Sequence, residues 1–246
     1  MNPAEVPHTY DDGRQLSSSV FEELRPDAFL SVGGRLSQEE YQALSELAPV
    51  IIAPSDLPAE SWEAVTRFIA EVVGLGGPAQ ALIAEAKQEI VDVAANYPVL
   101  RGATALFVSA SSASGSDLVL SVPGSAPVAF FASAGLAVPA ALSDLAKSLE
   151  RTPHRFPKGT VYLPRERAGE LSADALVVSV PMTDFTVYKA NKKLSRDFPE
   201  FGQGTIYVVS GDERVALQHQ SVIGAQWAAR NVLPELAKSA YKTKFP

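Results

Sequence analysis

The sequence predicts an α/β fold of two three-layer α/β lobes joined by a long helix, with the first lobe incomplete. Residues 25–53 pack a strand, a loop, a helix and a second strand into a short stretch, and residues 166–180 repeat a helix that leads into a buried strand. Between them, residues 78–97 have helical periodicity and would span roughly 30 Å, long enough to run the height of two lobes. On periodicity alone, an ordinary surface helix is the simpler interpretation.

The chain is long for a single lobe, because its 246 residues can form more than one core. The predicted organisation has three parts. Residues 1–57 form a partial N-terminal α/β lobe, residues 58–98 form paired helices that include the inter-lobe helix, and residues 99–246 form the C-terminal α/β lobe. Ligands of open α/β sheets bind beyond the carboxyl ends of the strands, so two facing lobes would form a cleft.

The amino-terminal part alternates helix and strand. The first helix should stop before Pro26, because the residue before a proline avoids helical backbone. Gly33 and Gly34 permit a tight turn at the end of a strand. Ser37, with Glu40 three residues later, is a capping box that begins the next helix. The predicted elements are helix 16–24, strand 28–32, helix 38–47 and strand 50–53.

The remainder predicts two helices followed by repeated α/β units. Trp62 and Trp227 lie on apolar stripes at helical spacing and are predicted to belong to the core. Pro234 should kink or restart the last helix. After the helices that start at residues 62 and 78, we expect strands 103–108, 118–122, 160–163, 175–180 and 206–209, with helices 128–134, 188–198 and 220–239.

Composition excludes several functions. The chain has 28 acidic and 21 basic residues and a net charge of -7, which is unlike the basic surface of a nucleic-acid binder. It has no cysteine, so it has no disulfide, no thiolate metal site and no cysteine nucleophile. The sequence shows no basic leader with an apolar core and no run of eighteen apolar residues.

Recognisable catalytic motifs are missing from the sequence. His8, His154 and His219 are scattered, without the spacing of a zinc site or of a Ser-His-Asp triad. The glycines of residues 74–77 are not followed by Lys-Ser/Thr, so they do not form a phosphate loop. We therefore expect no enzyme and no metal site. A non-transport α/β interaction module, or an enzyme with an unrecognised site, is the alternative.

Four segments carry a resemblance to a known family. They are LRPDAFL at 24–30, YQALSELAP at 41–49, VYLPRER at 161–167 and LSADALVV at 171–178. In their order and spacing they resemble the substrate-binding proteins of bacterial iron-siderophore, haem and cobalamin ABC importers, whose two lobes share one rigid helix. The segment at 161–167 is most similar to the actinobacterial siderophore-binding lipoproteins. The resemblance covers residues 24–236.

The resemblance implies an extracytoplasmic solute-binding protein. It would capture a ferric siderophore or a similar iron chelate and deliver it to an ABC permease as a monomer, with no cofactor and no nucleic-acid partner. It would act in the periplasm or lipid-anchored at the cell surface, although the leader and the anchor cysteine are absent from this chain. Family members carry a strand, a helix and a second strand before the segment that corresponds to 24–30. A late start and a shortened first lobe are the two alternatives.

The resemblance also implies two sets of site residues. In the family, one glutamate on each lobe docks onto permease arginines, and Glu39 and Glu166 match those positions, with Glu40 close enough to replace Glu39. A glutamate in a first helical turn also complements the helix dipole, which is the simpler interpretation. An anionic, partly aromatic chelate requires cations and aromatic groups, for which solvated surface charge is the alternative. The ligand-binding candidates are Gly34, Arg35, Arg165, Tyr188, Lys189 and Arg214.

Overall fold

The chain folds into two compact units, Met1–Ala59 and Glu60–Pro246, which are described separately. The computed structural model describes residues 21, 24–32, 36–55, 57–58, 61–110, 117–142, 144, 159–182, 198, 205–219 and 221–245.

Helices and strands alternate along most of the described chain. The strands are β1 (Phe29–Ser31), β2 (Val50–Ile52), β3 (Ala105–Ser109), β4 (Asp117–Ser121), β5 (Thr160–Pro164), β6 (Ala175–Ser179) and β7 (Ile206–Val209). The helices are α1 (Gln38–Ser45), α2 (Trp62–Val72), α3 (Gly76–Ala95), α4 (Ala126–Ser133), α5 (Gly211–Gln218) and α6 (Val222–Lys244), with short 3-10 helices at Pro98–Leu100 and Arg165–Glu170.

The first unit is built on a two-stranded parallel sheet. Strands β1 and β2 pair in parallel with Phe29 opposite Val50, and α1 connects them. The predicted capping box is confirmed, because the Glu40 amide donates to Ser37 Oγ at 3.1 Å and the Ser37 amide donates to Glu40 Oε2 at 2.7 Å. Two unpaired amides at the start of α1 are thereby satisfied, which fixes where this helix begins.

The second unit contains a five-stranded sheet in the order β5-β4-β3-β6-β7. Strands β3, β6 and β7 are parallel, and β4 is antiparallel to both β3 and β5. Two antiparallel pairings in succession make β5 parallel to β3. The carboxyl ends of β3, β5, β6 and β7 therefore lie at the same edge of the sheet, together with the beginning of β4.

Two apolar cores cover the two faces of this sheet. Alternate residues of a strand point to opposite faces, so Phe107 and Val177 enter one core while Val108 and Val178 enter the other. The first core is completed by residues of α3, α4, α5 and α6. The prediction that both tryptophans belong to the core is confirmed, because Trp62 is buried and the partly buried Trp227 packs against the same cluster. The second core includes Leu142, Leu171 and Phe198.

Helix α3 packs beside α6 in the second unit. Glu89 of α3 accepts a hydrogen bond from Gln226 Nε2 at 2.8 Å and forms an ion pair with Arg230, both on α6. Buried alanines and isoleucines of α3, including Ala86 and Ile90, provide the apolar part of the contact. The helix predicted at 78–97 is thus observed at 76–95, and its role as a link between lobes stays a prediction.

Three predicted elements differ from the structure or lie outside it. The sequence analysis assigned no helix to 211–218, where α5 follows β7 with no intervening loop. The terminal helix is longer than predicted and is continuous through Pro234, because buried residues on both sides of the proline, such as Val232 and Leu236, hold it against the core. The helix predicted at 188–198, apart from Phe198, and most of the one at 16–24 lie outside the described residues.

A hydrogen-bonded clamp holds the beginnings of β3 and β6 together. Asp174 Oδ2 accepts from the Thr104 amide at 2.7 Å and from Thr104 Oγ1 at 2.9 Å, and the Asp174 amide donates to Thr104 Oγ1 at 3.0 Å. Each residue directly precedes a central strand, so the clamp fixes the register in which Ala105 pairs with Ala175.

Replacing the clamp carboxylate should destabilise the second unit. We expect Asp174→Ala to lower the free energy of unfolding by about 1.5–3 kcal/mol, because hydrogen bonds to a charged acceptor are lost at a half-buried position. Urea denaturation measures this change. The matched control is Asp92→Ala, which removes an exposed contact to Gln88 worth about 0.2–0.5 kcal/mol. Equal effects of the two variants would contradict a clamp at Asp174.

Candidate functional site

The candidate site is the edge of the five-stranded sheet at which β3, β5, β6 and β7 end. We call it the carboxyl edge, and it includes the residues that directly follow β5 and β7. Open α/β sheets place their ligands at such an edge, because loops there diverge and leave room. Of the predicted ligand residues, the backbone places Arg165 directly after β5 and Arg214 in the first turns of α5, so both belong to this edge.

A glycine sets the position of Arg214. Gly211 has a φ of +52°, in the left-handed region that side chains disfavour. A Cβ built on it would lie 2.9 Å from Met182 Cε, which reaches the same turn from the end of β6. The chain can therefore turn from β7 straight into α5, and this turn holds the half-buried Arg214 near the strand end.

Glu213, the residue before Arg214, is hydrogen-bonded to Tyr207. Tyr207 Oη donates to Glu213 Oε1 at 2.7 Å. Burial, and then the Glu213 carboxylate, raise the pKa of Tyr207 well above its usual range, so the phenol stays a donor at neutral pH. Glu213 is thus held by Tyr207. Among the described residues, no side chain forms an ion pair with Arg214.

A polar cluster of Ser109, Ser179 and Gln218, which was not predicted from the sequence, lies just inside the carboxyl edge. Gln218 of α5 donates from Nε2 to Ser109 Oγ at 3.0 Å, and Ser179 pairs with Ser109 in the sheet. Ser179 Oγ and Gln218 Oε1 are buried without a hydrogen-bond partner within the described structure. The sequence did contain a signal for this cluster, because β3 and β6 are otherwise apolar and each ends in a serine, LFVS and LVVS. A polar residue at that position marks the boundary between core and edge.

Glu166 lies on the short 3-10 helix that follows β5. It is exposed, and within the described part of the chain it makes no hydrogen bond or ion pair. Nearby, Arg167 forms a two-fold contact with Glu170, with both distances 2.7 Å. This contact raises the pKa of Arg167 and lowers that of Glu170. The positive charge of Arg167 is therefore paired with the carboxylate of Glu170, while the Glu166 carboxylate faces solvent.

The structure distinguishes Glu39 from Glu40, the two glutamates of α1. Glu40 is held in the capping box, where the Ser37 amide and then the Ser37 hydroxyl lower its pKa. Glu39, in the same first turn of α1, is exposed and has no partner among the described residues. The capping box therefore engages Glu40 and not Glu39.

Four of the predicted ligand residues are not placed by the structure. Gly34, Arg35, Tyr188 and Lys189 lie outside the described residues, as does the side chain of Arg165. Where the structure is described, no group of three or more His, Asp or Glu side chains converges to hold a metal ion. None of the helices found there is long and apolar enough to span a membrane.

Comparison with solved structures places the fold. Streptococcus pneumoniae TIGR4 PiaA in complex with ferrichrome superposes with a TM-score of 0.72 at 17% identity, covering 95% of this chain and 76% of that one. A periplasmic solute-binding protein from Mycobacterium smegmatis gives a TM-score of 0.70 at 18% identity, with coverages of 91% and 72%. FhuD2 from Staphylococcus aureus with bound ferrioxamine B gives 0.64 at 12% identity, with coverages of 91% and 80%.

These likenesses identify the fold class. The chain has the α/β fold of the two-lobed PiaA and FhuD2 type of binding protein, as the sequence predicted. No protein-family model and no curated protein sequence matches the chain.

Proposed function

We propose that this protein captures a ferric siderophore, or a similar iron chelate, and delivers it to an ABC permease. The observation that carries the proposal is the fold likeness over more than nine-tenths of the chain, at 95% and 91%, to proteins crystallised with ferrichrome and with ferrioxamine B. The resemblance of four sequence segments, which does not depend on the coordinates, supports the same class. Iron is the cargo in this proposal and arrives inside its chelate.

The proposed chelate site is the carboxyl edge of the second unit. Arg214 supports it best, because it lies at a strand end and has no partner among the described residues. Gly34 and Arg35, which follow β1 in the sequence, and Arg165, Tyr188 and Lys189 of the second unit are the further candidates that the sequence resemblance supplies. Cationic donors suit the oxygen-rich surface of a chelate, since charge-assisted hydrogen bonds are stronger than neutral ones.

The proposed permease contacts are Glu39 and Glu166. Both are exposed carboxylates in the first turn of a short helix, one in each unit, and neither has a partner among the described residues. Permease arginines could therefore reach them without breaking an existing contact. The involvement of Glu40 in its capping box supports the choice of Glu39.

The remaining features of the proposal follow from this transport role. The protein would work outside the cytoplasm as a monomer, in the periplasm or at the cell surface, as the actinobacterial lipoproteins do. It would carry no cofactor and catalyse no reaction.

Binding of ferric siderophores tests this function. Tryptophan fluorescence, titrated with ferrichrome, ferrioxamine B and their iron-free forms, should show saturable binding of the ferric forms. We expect Arg214→Ala and Arg35→Ala each to weaken binding by roughly tenfold to a hundredfold, because each removes a charge-assisted contact of about 1.5–3 kcal/mol. Neither variant should change the melting temperature.

The matched control is Arg67→Ala, which removes an exposed arginine of α2 in the same unit as Arg214. It should bind like the wild type. The ligand assignment is wrong if Arg214→Ala and Arg35→Ala bind every ferric siderophore as tightly as Arg67→Ala does. Failure of the folded wild type to bind any of them would overturn the transport role itself.

Uptake measurements separate the two proposed sites. Glu39→Ala and Glu166→Ala should leave siderophore affinity unchanged and lower uptake of radiolabelled iron in cells that carry the cognate permease, because these carboxylates would meet the partner and not the ligand. Glu46→Ala and Glu85→Ala, which change exposed carboxylates in the same two units, serve as controls. A loss of siderophore affinity in Glu39→Ala would mean that the two faces have been assigned in reverse.

A further inference from the structure

The second unit has a large apolar hollow at the end of the sheet opposite the carboxyl edge. Helices α3 and α6 run in the same direction, since Glu89 contacts Arg230 whereas Tyr97, just beyond α3, shares the hollow with Tyr241. Ser239 of α6 donates to the carbonyl of Thr205, immediately before β7. The hollow between the helix ends is therefore at the amino ends of the strands, away from the proposed chelate site.

The surface of this hollow is mainly apolar. It is open, has a volume of about 920 Å³, and is lined by prolines, alanine, valine and aromatic rings. Tyr241 and Phe245 pack against each other with ring centroids 4.8 Å apart, yet each remains 57% exposed. A smaller hollow of about 250 Å³ continues the surface on the other side of Tyr97 and Pro98.

Cations surround this apolar surface. Lys238, Lys242 and Lys244 line the larger hollow and Arg101 lines the smaller, and no described residue that lines either one is acidic. Only Lys238 has an acidic partner in the described structure, Glu235 at 2.5 Å. The concentration of positive charge is a local exception in a chain with a net charge of -7.

The dipole of α6 explains part of this concentration of lysines. Lysines in the last turn of a helix complement its dipole, which explains Lys242 and Lys244. The dipole does not explain why two aromatic rings stay exposed beside these lysines.

We propose that this surface, which we call the basic hollow (Tyr97, Tyr241, Phe245, Lys242, Lys244 and their neighbours), rests on an anionic phospholipid bilayer. Aromatic rings favour the boundary between headgroups and acyl chains. Lysine stems can cover apolar surface while their ammonium groups meet lipid phosphates. The combination of exposed rings with lysines, and the absence of a lining carboxylate among the described residues, favours a lipid surface over a protein partner. The inference does not depend on the chelate.

The proposed contact also has a geometric consequence. Because the basic hollow and the carboxyl edge lie at opposite ends of the same sheet, the second unit could touch a bilayer while its strand ends remain open to a ligand. Such a contact would be peripheral and reversible, since it uses two rings and a few cations without an inserted helix.

Vesicle sedimentation tests the proposal with the full chain. The probes are sucrose-loaded vesicles of phosphatidylcholine mixed with phosphatidylglycerol, and vesicles of phosphatidylcholine alone. The wild type should bind the anionic vesicles, and binding should weaken as salt is raised. We expect Lys242→Gln/Lys244→Gln to lower the partition coefficient by roughly tenfold to thirtyfold. Tyr241→Ser/Phe245→Ser should lower it by about tenfold, because ring burial in the interface is lost.

The control is Arg67→Gln/Lys87→Gln, which removes the same charge from exposed positions on α2 and α3 outside the hollow. It should bind anionic vesicles like the wild type. Equal losses in the control and in the hollow variants would indicate nonspecific charge attraction and overturn the proposal. A folded wild type that ignores anionic vesicles would also overturn it, as would one that binds only an acidic amphipathic peptide. Circular dichroism checks that each variant is folded.

Discussion

The register between β3 and β6 is the constraint on which the second unit depends. These strands are central to the sheet, and every residue from Ala105 to Val108 and from Ala175 to Ser179 is buried. A shift of one residue would turn each apolar side chain to the opposite face and exchange the two cores. The Asp174–Thr104 clamp opposes that shift at the point where both strands begin.

The same register determines the chemistry at the other end of the strands. It brings Ser109 beside Ser179 at the carboxyl edge, where Gln218 reaches Ser109 from α5. Next to them, the positive φ of Gly211 lets β7 turn directly into α5. Tyr207 donates a hydrogen bond to Glu213, and the adjacent Arg214 has no acidic partner among the described residues. Each of these steps is local, yet together they place one cation at the carboxyl edge, the side on which open α/β sheets generally bind ligands.

Local patterns in the sequence predicted the elements but not their partners. The strands predicted at 103–108 and 175–180 correspond closely to β3 and β6. The serine and glutamate three residues apart at Ser37 and Glu40 correctly predicted the capping box. Helix α5 was missed because a glycine followed by two acidic residues is typical of a turn. The Asp174–Thr104 clamp and the Gln218–Ser109 contact join residues 70 and 109 positions apart, and no short-range spacing reports such pairs. Choosing Glu39 over Glu40 likewise required the hydrogen bonds of Ser37.

We propose that the carboxyl edge holds the chelate. Hydrogen–deuterium exchange, measured with and without ferrioxamine B, tests it most directly because it reports on backbone amides along the whole chain. We expect slower exchange on ligand addition in residues 165–170 and 211–214, and no change in residues 237–245 at the opposite end of the sheet. Protection confined to residues 237–245, with none at the carboxyl edge at saturating ligand, would contradict it.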